Sequence, residues 1–231
     1  MRIIDLTVLL RKDKISLVPG HPDFELKDLH FHDKDFRSSS FLQISTHTGT
    51  HVDAPYHFIR DGLTIDDLPL EKIVGKAVML DLRKMALPKK GISLEQIKQA
   101  AKGKDLRGKI AILHSGWLKE KWGTDDLYAQ NPFLLPETAQ WLVEQKIKSL
   151  GLDFPMDNPE QSSILTEKKF PIHRIFLGHG IPHIENLSNL ELIDRNEFLF
   201  VALPLKLYKC NGAPAGAMAI IDSLPSSSRG R

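Results

Sequence analysis

The sequence lacks the features that would place the chain in a specialised structural class. It has one cysteine, Cys210, among 231 residues, so it cannot form an internal disulfide, and this agrees with a reducing compartment. It has no apolar run of membrane-spanning length and no secretory signal, so we expect no membrane association. The formal net charge is only +2, which is too small to attract the negatively charged backbone of a nucleic acid. We therefore expect a cytoplasmic protein without nucleic-acid partners.

Linkers and internal repeats are also missing. No interior stretch has the proline, glycine and serine density of a domain linker, and no repeat has a solenoid or propeller period. Hydrophobic residues at 42% and charged residues at 26% are typical of a packed globular protein. We expect one domain over residues 1–222 and, because its composition is polar and serine-rich, a frayed tail over 223–231.

Apolar, β-branched runs of strand length predict a core dominated by strands. They are Ile3–Leu10, Phe41–Ser45, Ala77–Leu82, Ile110–Leu113, Ser149–Asp153, Phe198–Leu203 and Ala217–Ile221. Helices are predicted at about residues 94–102, where Ser93 opens a capping box, and from Pro136 and Pro171. Strands and helices mix without strict alternation, which favours a layered α/β (α+β) fold, with a mixed sheet and a few flanking helices, over a Rossmann sheet.

One short segment concentrates polar residues that can bind a metal. Three of the ten histidines fall within residues 47–57, together with an aspartate. These side chains, His47, His51, Asp53 and His57, occupy odd positions, so on an extended backbone they leave the same face. Threonines, a glycine, a valine and a proline between them oppose a helix. The spacing therefore predicts that the four side chains converge on one site.

The segment must bend if its histidines are to share an ion. On an unbent strand His47 and His51 would lie about 13 Å apart, at roughly 3.3 Å per residue. Gly49 is placed for the bend because glycine adopts positive φ at little cost. His51 and Asp53 can share an ion from a straight strand. Imidazole and carboxylate ligands suit a divalent transition metal, so we expect zinc first and manganese as the alternative.

Two residues later in the chain could extend the site. His173 lies on the helix predicted from Pro171, and Glu185 lies in the extended segment that follows Gly178 and Gly180. They could complete the coordination of the first ion or hold a second one, and the number of ions stays open at one or two.

A set of motifs along nearly the whole chain resembles the cyclase-like metal hydrolases, which include bacterial kynurenine formamidases. The motifs are VPGHP at 18–22, HTGTHVDAP followed by YHF at 47–58, HSGW at 114–117, GLDFPMD at 151–157, and His173 with ENLSNL at 185–190. The resemblance implies a swivelling β/β/α domain that assembles as a homodimer or a larger homo-oligomer.

The resemblance also implies a role for each residue of the site. It implies that His47, His51 and Asp53 hold one metal ion. It implies that Asp53, His173 and Glu185 hold or share a second.

The implied activity is that of a metal-dependent amidohydrolase of the arylformamidase type. Such an enzyme would cleave a carbon–nitrogen bond in a small aromatic amide through a metal-activated water, with His57 as the acid/base residue. Three places depart from the family pattern and concern the substrate: His114-Ser115 replaces an arginine-threonine pair, 151–159 has no serine between its aspartates, and Gly216 replaces an arginine. Alternatives are hydrolysis of a cyclic amide such as isatin or of a lactone, and a non-catalytic metal- or ligand-binding module.

The remaining chemically active residues have simpler interpretations. We expect four histidines to be packed or exposed and to have no ligand role: His21, His30, His32 and His114. We favour an interpretation of His179 and His183 as turn residues over one in which they donate hydrogen bonds to the metal ligands. A glycine-proline turn is expected in NGAPAGA at 211–217, and Cys210 beside it is not expected to be a nucleophile. Asp153 and Asp157 fit loop structure as well as an acid/base pair.

Overall fold

The computed structural model describes residues 1–161 and 170–221, so the predicted frayed tail lies outside the described residues. Its strands are β1 (Arg2–Asp5), β2 (Glu25–His30), β3 (Ser39–Gln43), β4 (His51–Asp53), β5 (Val74–Asp81), β6 (Gly91–Ile92), β7 (Ile110–His114), β8 (Phe133–Leu134), β9 (Ser149–Leu152), β10 (His183–Glu185), β11 (Glu197–Pro204) and β12 (Gly212–Ile221). Its α-helices are α1 (His32–Asp35), α2 (Leu94–Ala101), α3 (Trp117–Lys121), α4 (Asp126–Ala129), α5 (Pro136–Glu144) and α6 (Pro171–Gly178). Among these residues no helix has both the length and the apolar character needed to cross a bilayer.

Eight strands form one mixed sheet that closes on itself. The order is β1-β12-β11-β5-β7-β9-β10-β4, and β12 also pairs with β4, so seven strands form a barrel-like ring with β1 beside it. Strands β5, β7, β9 and β10 are parallel, and the other pairs in this sheet are antiparallel. Two-stranded sheets join β2 with β3 and β6 with β8. The predicted mixed α/β fold with a sheet core is confirmed.

The parallel strands are apolar on both faces because each face is covered. Along β7, Ile110 and Ile112 pack inside the ring with Phe200, whereas Ala111 and Leu113 pack in a second layer against α2, α5 and α6. Each fully buried aliphatic side chain contributes about 1.5–3 kcal/mol through the hydrophobic effect. Burial on both sides also explains why these strands appear in the sequence as nearly continuous apolar runs. The prediction of a single domain over 1–222 stays a prediction.

The first predicted strand, Ile3–Leu10, is longer than the one observed. β1 ends at Asp5, whose side chain accepts a hydrogen bond from the backbone N–H of Thr7 at 2.9 Å. This local bond turns the chain away from β12. Beyond the turn, the N–H of Val8 donates to Thr50 Oγ1 at 2.9 Å, so residues 6–10 lead towards the segment that precedes β4.

The prediction of a turn in NGAPAGA is wrong, because its residues from Gly212 onward begin β12. Small side chains let this segment lie beside both β4 and β11. A Cβ on Gly212 would lie 2.7 Å from the carbonyl oxygen of Val52 and 2.8 Å from Cε1 of His47, so only glycine fits there. The segment thus closes the ring next to the predicted metal ligands.

The capping box at the start of α2 is present and allows a simple test of the helix. Ser93 Oγ accepts from the N–H of Gln96, whose side chain accepts from the N–H of Ser93. Ser93→Ala should lower the free energy of unfolding by about 1 kcal/mol, because an orphan amide loses its partner. Urea denaturation measures the change, with exposed Ser38→Ala as the control. Equal stability of the two variants would contradict the assigned cap.

Candidate active site

The segment 47–57 is a turn followed by a short strand and a 3₁₀ turn, so only part of it is extended. Gly49 has φ +72°, as the predicted bend requires, and the chain then enters β4. Pro55 opens the 3₁₀ turn that carries His57. Only His51 and Asp53 therefore keep the alternate spacing of a strand, and the other two histidines reach the site through turns.

Strand pairing places the later residues opposite the earlier ones. In the antiparallel pair of β4 with β10, His183 lies opposite Asp53 and Glu185 opposite His51. Directly paired residues share one face of a sheet. His51 Nε2 is 3.3 Å from Asp53 Oδ1 and 3.8 Å from Glu185 Oε2. Helix α6 adds His173, whose Nε2 is 3.3 Å from Glu185 Oε1 and 3.5 Å from Asp53 Oδ2.

Two groups of side chains that share Asp53 could each hold a metal ion. In each group the ligand atoms all lie within 4.8 Å of one another. One group is His47, His51 and Asp53; the other is Asp53, His173, His183 and Glu185. All these side chains are buried. The structure thus brings together all five residues that the sequence predicted as ligands.

The orientation of two imidazoles fits a bound cation. His51 Nδ1 donates to the carbonyl oxygen of Gly49 at 2.8 Å, and His173 Nδ1 is hydrogen-bonded to Asp157. In each neutral ring the opposite nitrogen, Nε2, then presents a lone pair to carboxylate oxygens. Two acceptors can face each other only with a proton or a metal ion between them. An imidazole held from behind by an oxygen acceptor is typical of metal sites.

His47 has the same arrangement with its two nitrogens exchanged. Its Nε2 lies 3.0 Å from Asn211 Oδ1 and its Nδ1 lies 2.7 Å from Asp53 Oδ1. With Nε2 as the donor to Asn211, Nδ1 presents its lone pair to the carboxylate. Asn211, just before β12, was not recognised in the sequence because nothing local links it to a histidine 164 residues away. The donor set of the pocket suits zinc or a similar divalent ion.

The charges of the site favour positive charge at its centre. Burial alone would lower the pKa of His51, but the Asp53 carboxylate raises it. Burial likewise opposes the charged form of His173, yet hydrogen bonds to Asp157 and Asp53 raise its pKa well above the usual value. Although burial acts in the other direction, His47 and His51 hold the pKa of Asp53 well below its usual range. Protons and a divalent ion would therefore compete for the same lone pairs.

His57 belongs to neither group of ligands and lies beside them. Its ring stacks on that of His47, with centroids 4.0 Å apart. Burial lowers the pKa of His57 to about 3; the nearby Asp53 carboxylate opposes this shift and the His47 imidazole adds to it. The ring is therefore neutral at pH 7 and has a lone pair that can accept a proton.

The ligand groups form the floor of a cavity of about 320 Å³. Phe58 and Phe170 form part of its wall, with ring centroids 5.4 Å apart, and Met156 adds a further apolar surface. His21 also lines the cavity, is hydrogen-bonded to Ser45 Oγ at 2.8 Å and belongs to neither ligand group, so the expectation that it has no ligand role stays a prediction. Apolar walls around a few convergent polar groups are typical of small-molecule sites.

Two aspartates have structural positions and do not form an acid/base pair. Asp157 accepts hydrogen bonds from the N–H groups of Ile172 and His173 and so fixes the start of α6 and the ring of His173. Asp153 accepts from the N–H groups of Ser115 and Gly116, each at 2.7 Å, and lies outside the cavity wall. Burial raises the pKa of Asp153 to about 6.

The interpretation of His183 as a turn residue is wrong. It is the first residue of β10 and is fully buried. Its spacing of two from Glu185 was the available signal, since such residues share a face on an extended chain. The other residues interpreted as lying outside the site do not line the described cavity: His30, His32, His114, His179 and Cys210.

Comparisons with known proteins agree with this fold and these motifs. The family model described as "Putative cyclase" matches residues 4–157. The kynurenine formamidase of Geobacillus thermodenitrificans strain NG80-2 is 30% identical over 178 residues, which cover 76% of this chain and 77% of that protein. The chain belongs to the cyclase family.

Solved structures share the fold over nearly the whole length. A crystal structure of an isatin hydrolase bound to the product analogue thioisatinate has a TM-score of 0.83 at 23% identity, covering 96% of this chain and 92% of that one. Isatin hydrolase A from Labrenzia aggregata, bound to benzyl benzoate, has a TM-score of 0.80 at 26% identity, covering 94% and 93%.

Asp53 is the residue on which both ligand groups depend. Asp53→Ala should abolish binding of divalent metal, because each group loses the carboxylate that it shares with the other. Metal analysis of the purified variant, after reconstitution with zinc and gel filtration, measures this. Asp61→Ala, an exposed change nearby, is the control and should load like the unchanged chain. A fully loaded Asp53→Ala protein would remove Asp53 from the site.

Proposed function

We propose that this protein is a metal-dependent hydrolase that cleaves a carbon–nitrogen bond of a small aromatic amide, in the manner of an arylformamidase. The observation that carries the proposal is the pair of buried ligand groups sharing Asp53 at the floor of a partly aromatic cavity, with the neutral ring of His57 beside them. A binding module would need the ligands but not the additional proton acceptor.

The first ion would be held by His47, His51 and Asp53, and a second by Asp53, His173 and Glu185. Zinc is the first choice because three of the five ligand residues are histidines, and manganese is the alternative. A divalent ion in this pocket would supply Lewis-acid chemistry, lowering the pKa of water to roughly 7 and polarising a carbonyl. The chain's own contribution is to fix the imidazoles by hydrogen bonds that their N–H groups donate to oxygens of Gly49, Asn211 and Asp157.

His57 would move the proton of the reaction. Because the ring is neutral at pH 7, its lone pair is available to accept a proton from the attacking water. It would then donate this proton to the leaving nitrogen, which avoids expulsion of an unstable amide anion. Its stacking on His47 fixes the plane of the ring relative to the floor of the cavity.

The cavity suits a planar, partly apolar substrate. Phe58 and Phe170 offer ring faces and edges, and aromatic contacts of this kind contribute about 0.5–1.5 kcal/mol beyond the area they bury. The curated relative is a kynurenine formamidase, which supports a formamide of an aromatic amine as the substrate. The isatin hydrolase at 26% identity favours a second candidate, a cyclic aromatic amide opened by the same chemistry.

We also propose a homodimer or larger homo-oligomer in the cytoplasm. The sheet of β2 and β3 exposes large apolar side chains, including Leu29, Phe41 and Leu42. A two-stranded sheet is marginally stable by itself, so a second copy covering it is the arrangement we favour. The single cysteine agrees with a reducing location.

The direct test is hydrolysis of N-formylkynurenine and of isatin by the reconstituted protein, with and without a chelator. Formate release identifies a formamidase, whereas ring opening of isatin without formate identifies the second candidate. Activity should disappear on chelation and return with zinc or manganese. A loaded protein that acts on neither these amides nor a panel of esters and lactones would support a binding module instead.

His57→Ala should keep its metal and lose turnover by about 100-fold or more, because general acid/base catalysis contributes about that factor. Metal content and kcat are measured on the same preparation. Exposed His179→Ala is the matched control and should retain both. If His57→Ala loses metal in proportion to activity, His57 is a ligand rather than a proton carrier.

A further inference from the structure

His183 is the buried titratable side chain that the proposed mechanism leaves without a role. It is 0% exposed, and neither of its ring nitrogens has a hydrogen-bond partner among the described residues. An unpartnered buried polar group destabilises the fold, so a histidine in such a place requires an explanation.

The position of the ring points to the metal pocket. His183 lies opposite Asp53 in the pairing of β10 with β4, and its Nδ1 is 3.9 Å from Asp53 Oδ2. This distance is too long for a hydrogen bond but suits two ligands of one ion. The ring of His173 lies edge-on, with its centroid 5.3 Å away. Glu185 Oε1, two residues along the same strand, is a second buried atom without a hydrogen-bond partner.

The four ligand atoms from Asp53, His173, His183 and Glu185 lie within 4.8 Å of one another. They supply two nitrogens and two oxygens, and a single cation would satisfy Nδ1 of His183, one of its two unpartnered nitrogens, together with the unpartnered oxygen of Glu185. Tetrahedral zinc accepts such a set of four.

Building on the proposed function, we propose that His183 is a direct ligand of the second ion and completes a closed, four-residue site. His183 does not line the described cavity, whereas the other three members do, so it would approach the ion from behind. A site with four protein ligands has no open position, as in structural zinc sites, whereas three ligands leave a position for water or substrate. The open position would then belong to the ion of His47, His51 and Asp53.

This division separates the tasks of the two ions. The closed ion would hold β4, β10 and α6 together and fix the charge of Asp53 and Glu185. The other ion, facing the cavity, would meet the substrate.

The test uses cobalt(II) as the probe, added to the metal-free full chain. We expect the unchanged protein to bind two ions. His183→Leu should weaken binding of one of them by more than about 100-fold, beyond the 10–100-fold loss typical of a residue that only supports a ligand. Exposed His179→Leu, four residues earlier, is the matched control and should bind both ions as the unchanged protein does.

A second variant tests direct contact and does not depend on the fate of the leucine variant. In His183→Cys the thiolate can replace Nδ1, because the shorter side chain is offset by a longer metal–sulfur bond. The cobalt-loaded variant should gain a thiolate-to-cobalt charge-transfer band. The unchanged protein, which already contains Cys210, should lack this band because Cys210 lies outside both ligand groups.

The outcomes are distinct. A new band in His183→Cys, with either one or two ions bound, supports direct ligation. No band, or a loss of affinity below about 100-fold in a folded His183→Leu protein, overturns it and leaves at most a supporting role. If the unchanged protein binds no cobalt, the proposed function fails as well; if it binds cobalt and the His183 variants behave like the control, only the present inference fails.

Discussion

The site depends on one constraint, which is that the carboxylate of Asp53 is almost completely buried and must be compensated by positive charge. Four imidazoles, those of His47, His51, His173 and His183, surround it together with the carboxylate of Glu185. Hydrogen bonds behind the first three rings turn their lone pairs towards it. Burying an uncompensated charge would cost many kcal/mol, so the arrangement is stable only with protons or a cation in the pocket. The same requirement that stabilises the fold at this point therefore creates the site for a divalent ion.

Closure of the sheet is what brings these groups together. β4 has three residues, too few for a stable strand by itself, but it lies between β10 and the first residues of β12. Pairing with β10 supplies Glu185 and His183, and the approach of Gly212 leaves room for the ring of His47. Helix α6, fixed at its start by Asp157, supplies His173. The ligands thus come from separate parts of the chain that closure of the ring brings together.

Much of the fold could be predicted because it is encoded locally. The strands β5, β7 and β9 contain apolar runs that are covered on both faces, and β11 contains an apolar run that is buried mainly at alternate residues. Helices α2 and α5 begin at a capping serine and at a proline. The sequence did not predict the end of β1 at Asp5, which a local side-chain hydrogen bond decides. It also did not predict the start of β12 at Gly212, which pairing with the distant strand β4 decides. The sheet of β2 and β3 was only partly recognised, since its exposed residues have no periodic burial.

The sequence by itself determined the metal-binding chemistry: the histidines and aspartate of residues 47–57, the bend at Gly49 and the motifs shared with the cyclase family all lie within short stretches. Only the tertiary structure decided that His183 faces Asp53, that Asn211 holds His47 and that Asp157 orients His173. These contacts join residues 16 to 164 positions apart. They follow from strand register and helix placement, which no local spacing encodes, because they arise only when the sheet closes around its apolar core.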